Sequence, residues 1–177
     1  DLVGHVLIGI PDGQGNGALT VITADGKQYI DMGSGIGVTA FGIADDMWLA
    51  AVTEQAGKLQ HVSNLYYTEP CAKLAELLCQ KTGMAKVFFC NSGAEANEAA
   101  IKLARRWGSQ NGGRFEIVTM RQGFHGRTLA TVAATAQSWC QEGYDPLPVG
   151  FAYADFNDLE SVKAAVTDKT VAIMLEA

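Results

Sequence analysis

The chain has 177 residues, 48% of them hydrophobic and 18% charged, enough to bury the core of one domain, or of one domain and a small annex, and unlike a disordered chain. Its net charge of −6 and pI of about 5.0 offer no basic surface for nucleic acid or an anionic membrane. No apolar run approaches the roughly 20 residues of a membrane helix, "VLIGI" at Val6–Ile10 is too short and lacks the basic flank of a signal core, and the expected medium is the cytosol.

Residues 18–32 read as two strands joined by Ala24-Asp25-Gly26, where glycine accepts a positive φ freely. Residues 33–43, "GSGIGVTAFGI", read as a flexible loop of small residues. Helical patterns follow over about 45–60 and 70–82; in the second, Leu74, Leu77 and Leu78 lie on a broad apolar face and Pro70 sits near the start. Lys86–Cys90 reads as a short strand, Ala94–Trp107 as a helix and Phe115–Thr119 as a second strand. A helix-like run over 126–136, a brief strand at Phe151–Ala154, a capped helix over 157–166 and a buried strand over 170–175 complete the chain.

Apolar strands alternating with helices predict an α/β fold with a mostly parallel sheet. Residues 1–65 differ in character from residues 66–177, so a boundary is expected near Leu65, with the hairpin segment before it and the α/β domain after it. The last strand ends at Glu176-Ala177. A parallel sheet needs cover on both faces, so the chain is expected to be a fragment or to need partner subunits.

Cys71 and Cys79 stand eight apart on one expected helix, roughly 12 Å along its axis and too far to bridge. With Cys90 and Cys140 they read as free thiols in a reducing compartment. His5, His61 and His125 are scattered, and no metal site is expected from them.

The stretch with most chemical content is Phe88–Gly108, "FFCNSGAEANEAAIKLARRWG". Ser92 and Glu95 have capping-box spacing. Behind them Ala96, Ala100, Leu103 and Trp107 share a face, Glu98 precedes Lys102 by one turn, Arg105 and Arg106 lie toward the negative end, and Gly108 reads as the stop. Two readings stay open. One is simply a well-capped helix. In the other, the free first N–H groups and the positive dipole end receive a phosphate, which Gly93 and Ala94 let approach closely. In an open α/β sheet, ligands bind at this end of the strands.

Gly33-Ser34-Gly35-Ile36-Gly37 is not a dinucleotide fingerprint, because Val38 stands where another glycine is needed, and no Walker A sequence is present. Gly123-Phe124-His125-Gly126-Arg127 follows the second α/β strand and is expected at the same sheet edge as Ser92. It is either a turn with an incidental histidine or a stacking face beside an anion clamp.

"NSGAEANEAAIKLAR" and "GFHGRTLATVAAT", with "YIDMGSGIGV", "SNLYYTEP" and "AIMLE", resemble the class III pyridoxal-phosphate aminotransferases over nearly the whole chain beyond the first dozen or so residues. Within that class the resemblance runs to the acetylornithine branch. It implies a fold type I PLP-transferase: a doubly wound large domain, cut short here, with part of a small N-terminal domain. It also implies a homodimer and transfer of an amino group between N-acetylornithine and 2-oxoglutarate. By position, Gly93 and Ala94 are expected to hold the phosphate of pyridoxal 5'-phosphate, Phe124 to stack on its ring, Ser92 and His125 to shape that pocket with Glu98, and Arg127 to meet a substrate carboxylate. Other class III donors (ornithine, succinylornithine, 4-aminobutyrate) and a non-catalytic module of the same fold remain as alternatives.

The chain departs from the family pattern in places. Family members run to roughly twice this length or more. The Schiff-base lysine and the acid that pairs with the pyridine nitrogen are expected beyond Ala177, and none of the chain's lysines has a matching context. Ala177 replaces an expected Pro, and "GIADDMWL" at 42–49 replaces a Gly-His-x-His-Pro-like run.

Overall fold

A computed structural model describes residues 7–10, 20–23 and 25–176. The chain falls into two compact units, residues 1–76 and 77–177. The first holds an antiparallel sheet of β1 (Leu7–Ile10), β2 (Thr20–Thr23) and β3 (Gln28–Ile30), in that order. β2 and β3 form the expected pair, with Thr20 opposite Ile30 and Gly26 at φ 83° in the turn. Residues 18, 19 and 24 of that expectation lie outside the described residues, as do His5, Val6 and Ala177. β1 was not foreseen, since four residues between turn signals carry little periodicity.

The segment 33–43 contains α1 (Ser34–Gly37), a single turn with Gly35 and Ile36 at φ 60°. α2 (Asp46–Lys58) starts where Asp45 Oδ1 accepts the Trp48 N–H at 2.8 Å, and α3 (Glu69–Thr82) follows. Both helices match their expected spans closely.

The second unit runs α4 (Gly93–Gln110), β4 (Glu116–Met120), α5 (Leu129–Ala134), α6 (Ser138–Gln141), β5 (Phe151–Ala154), α7 (Leu159–Ala165) and β6 (Thr170–Met174). Its sheet has the order β5-β4-β6 with every pairing parallel. Alternate strand residues feed two cores. Ile117 and Ala134 pack with Ile101 of α4 on one face, whereas Val118, Met120 and Ala154 pack with Val162 and Ala165 of α7 on the other. The step from β4 to β5 and the step back from β5 to β6 go in opposite directions across the sheet. Right-handed crossovers then require helices on opposite faces, as α5 and α7 are. The three strands therefore present their carboxyl ends, and the loops after them, on a single edge.

Three local expectations are corrected. Lys86–Cys90 is not a strand among the described residues. An extended run counts as sheet only when a neighbour completes its ladder, and here Phe88 and Phe89 stay exposed. On α4, Ala96, Ala100, Leu103 and Trp107 share an exposed face, while Ala94, Asn97, Ile101, Ala104 and Gly108 turn inward. Gly108 does not stop the helix, which runs on to Gln110. A Cβ there would lie 2.1 Å from the Arg114 carbonyl oxygen, so the glycine answers to a close backbone approach. Because the helix continues, Arg105 leaves the last turn and instead donates to the Val149 carbonyl at 2.6 Å, over the Phe151 ring. Finally, the helix expected over 126–136 shrinks to α5, because Gly126 (φ 133°) and the extended Thr128 belong to the preceding loop.

Candidate functional site

The site is built where the tip of α4 meets the loop after β4. Ser92 caps α4 by accepting the Glu95 N–H at 3.2 Å. Glu95 reaches back to the Asn91 N–H at 2.7 Å and to the Asn91 side-chain amide at 3.0 Å, one residue beyond the Ser92 N–H that the capping box suggested. The Glu95 N–H is therefore engaged and the Ala96 N–H binds the Ser92 carbonyl, which leaves the amides of Gly93 and Ala94 as the donors at the tip. A Cβ built on Gly93 meets nothing within 4 Å, so no side chain or backbone packs against that side of Gly93.

The loop from β4 is pinned to this tip at three points. A Cβ on Gly126 would lie 2.8 Å from Ala94 Cβ, so the two motifs touch through their smallest residues. One helical turn on, the Asn97 side-chain amide donates to the His125 carbonyl at 2.8 Å. The next residue, Glu98, accepts the Thr128 hydroxyl rather than pairing with Lys102. The loop is also fixed from its own side. His125 N–H donates to Thr135 Oγ1 at 2.9 Å, Gln122 holds a left-handed φ of 68°, and Gln137 Nε2 donates to the carbonyls of Gln122 (3.2 Å) and Gly123 (3.0 Å).

Phe124 and His125 line a cavity of about 500 Å³ together with Asn97, Ile101, Met174 and Glu176. Phe124 is 41% exposed and sets an apolar side chain beside polar groups. Its N–H donates to Glu176 Oε2 at 3.2 Å, tying the loop to the end of β6. His125 is buried and its Nε2 has no partner. Burial pushes its pKa down, and the Glu176 carboxylate opposes this more weakly, so the imidazole is neutral at pH 7. Arg127 does not line the cavity. Its guanidinium carbon lies 5.4 Å from the Phe124 ring centre and 5.7 Å from that of Trp139. Ser92, Gly93 and Ala94 also stand outside the cavity lining, at the helix tip.

The structure thus brings Ala94, Phe124, His125 and Arg127 into one neighbourhood through the Gly126 contact. It adds residues that sequence reasoning left out: Asn97, Thr128, Gln137 and Trp139. Only Asn97 carried a signal, a polar residue one turn into an alanine-rich helix. The other three act through loop contacts that no spacing announces. No described residue lining the cavity is a lysine, and among the described residues no three His, Cys, Asp or Glu side chains are grouped for a metal ion.

Comparison with known proteins gives this geometry a family. Over 177 aligned residues the chain is 48% identical to the acetylornithine aminotransferase of Methanocaldococcus jannaschii, with 99% of this chain and 44% of that relative covered. It is 54% identical over 156 residues to the acetylornithine aminotransferase of Xanthomonas campestris, covering 85% of this chain and 38% of the relative. The solved N-acetylornithine aminotransferase of Stenotrophomonas maltophilia superposes with a TM-score of 0.74 at 36% identity, over 97% of this chain and 41% of that one. The chain accordingly spans about two fifths of the length of these relatives. The family model for aminotransferase class-III matches residues 4–177, and the chain belongs to that family.

Proposed function

We propose that this chain provides the cofactor-phosphate grip and ring-stacking loop of a pyridoxal-phosphate transaminase that moves an amino group between N-acetylornithine and 2-oxoglutarate. The observation that carries this reading is the Ala94–Gly126 contact, backed by the bond from Asn97 to the His125 carbonyl. Together they hold two partnerless amides and an open apolar ring in one fixed arrangement.

The residues suit the group. A phosphate dianion needs N–H donors and positive potential, and the tip of an 18-residue helix supplies both at Gly93 and Ala94. Nothing packs within 4 Å of where a Gly93 Cβ would lie, so no side chain crowds the tip on that side. A flat aromatic cofactor ring needs an apolar face, which Phe124 offers. His125, kept neutral by burial, adds bulk and a hydrogen-bonding nitrogen without a second charge. Arg127 carries a guanidinium that no described carboxylate pairs with, ready for a carboxylate of 2-oxoglutarate or the amino acid. When bound, pyridoxal phosphate supplies the electron sink for bond cleavage at the amino carbon. This chain's residues bind that group, orient its ring and steer the substrate.

The protein is read as a homodimer, as its family resemblance implies, in the cytosol that its composition suggests. None of the described helices is long and apolar enough to cross a membrane. Exposed large side chains such as Leu65, Tyr67, Leu103 and Trp107 leave apolar surface for a second subunit to cover. Incubating the protein with N-acetylornithine, 2-oxoglutarate and cofactor tests the reading through glutamate formation. A protein that binds cofactor yet prefers ornithine, succinylornithine or 4-aminobutyrate would overturn the donor. One that binds no cofactor would overturn the whole assignment. Residues 1–177 alone are expected to give no sustained turnover.

A further inference from the structure

We propose that Trp139 is a positioning residue for Arg127, its indole and the Phe124 ring flanking the guanidinium so that the N–H edge stays presented to a substrate carboxylate. The inference rests on reading Arg127 as the carboxylate-binding residue.

Trp139 lies on α6, outside every motif that marks the family. Its ring centre is 5.7 Å from the Arg127 guanidinium carbon, and that of Phe124 is 5.4 Å away, both inside cation–π range. The indole is not free to wander. Trp139 Nε1 donates to Gln137 Oε1 at 2.8 Å, and Gln137 Nε2 in turn donates to the carbonyls of Gln122 and Gly123. The same loop backbone that carries Phe124 therefore sets where the indole stands. Phe124, Arg127, Trp139 and Gln137 close a ring of contacts around the loop.

Two further observations favour a role in the site over a role in the core. Trp139 is 62% exposed, so it fills no interior space. α6 is held without the indole: Cys140 is buried, and Gln141 Nε2 donates to the Thr135 carbonyl at 2.9 Å and to the Tyr153 hydroxyl at 3.1 Å. Charge points the same way. Arg121, also in this loop, is paired with Asp155 at 3.1 Å, whereas among the described residues no carboxylate pairs with Arg127. A guanidinium held by aromatic faces keeps its hydrogen-bonding edge, which a carboxylate partner would occupy.

The test is steady-state kinetics of the cofactor-loaded full-length protein with Trp139→Ala, Trp139→Phe and Arg127→Met, varying 2-oxoglutarate. Loss of one ring face is expected to raise KM for 2-oxoglutarate roughly two- to fivefold, the worth of an exposed cation–π contact, with kcat held. Trp139→Phe restores KM, because a ring suffices. In a background where Trp139 is the one tryptophan retained, glutarate is expected to change its fluorescence saturably, and Arg127→Met to abolish that change. An unaltered KM in Trp139→Ala beside a raised KM in Arg127→Met overturns the role of Trp139 and leaves the carboxylate reading intact. An unaltered KM in Arg127→Met sinks the carboxylate reading and this inference with it. A fall in kcat alone, or a Trp139→Phe variant as impaired as Trp139→Ala, also overturns the proposal.

Discussion

Gly126→Ala perturbs the contact on which the site depends. Gly126 sits at φ 133°, a region that side-chain-bearing residues rarely enter, and backbone strain of this kind costs about 1–3 kcal/mol. The added methyl would also lie 2.6 Å from Thr131 Oγ1, 2.8 Å from Ala94 Cβ and 3.0 Å from Thr131 Cβ. Thr131 is fully buried and Ala94 belongs to the helix backbone's own first turn, so neither yields cheaply. Overpacking of this sort adds about 1–3 kcal/mol, for a total of about 2–6 kcal/mol. The chain relieves part of this by moving the loop away from α4. If about 1.4 kcal/mol is relieved that way, cofactor affinity falls about tenfold. Urea denaturation measures the first quantity, and titration with pyridoxamine 5'-phosphate, followed by Phe and Trp fluorescence, measures the second. A variant as stable as the parent, with unchanged affinity, would refute the claim that the Ala94–Gly126 contact assembles the site.

Further outcomes follow from other contacts. Gly108→Ala is expected to destabilise by about 2 kcal/mol, since clash with the Arg114 carbonyl oxygen outweighs the better helix propensity of alanine. Gly57→Ala in α2, where a Cβ meets nothing within 4 Å, is expected to stabilise by about 0.5–1 kcal/mol; denaturation of both reads the opposite signs directly. Asn97→Ala removes the bond to the His125 carbonyl and is expected to cost about 1 kcal/mol of stability and to loosen the loop, seen as faster amide exchange over 123–127. Because burial holds the His125 pKa below its ordinary value near 6.5, the unfolded chain binds the proton more readily. That contribution to stability is present above pH 6.5 and is lost as pH falls toward the depressed folded-state value. His125→Gln should show a shallower loss of stability below pH 6.5 than the parent, and equal slopes would contradict the burial account.

What was legible in the sequence was local. Ser92 and Glu95 announced the start of α4 through capping chemistry alone, and the small residues behind them announced an open tip. Asp25-Gly26 announced the turn between β2 and β3 because one residue there must take a positive φ. The inward face of α4 was not legible. Apart from Ile101 it is made of small or polar residues, Ala94, Asn97, Ala104 and Gly108, while the larger Leu103 and Trp107 lie exposed, so side-chain size does not mark it. Lys86–Cys90 misled for another reason: its residues favour extension, but a ladder is a property of two segments. In the site, the paired motifs were visible as separate turns. That Gly126 seats on Ala94, and that Gln137 and Trp139 brace the loop from 14 and 12 residues beyond Gly123 and Arg127, depends on long-range packing no spacing encodes.

The central claim is that the Gly93 and Ala94 amides receive the cofactor's phosphate beside the Phe124 ring. A crystal structure of the protein with pyridoxamine 5'-phosphate, which lacks the aldehyde that would react with surface lysines, tests it most directly. The account predicts phosphate oxygens within about 2.7–3.2 Å of both amide nitrogens and the pyridine ring against Phe124. A phosphate bound elsewhere, with those amides facing only water, would contradict it.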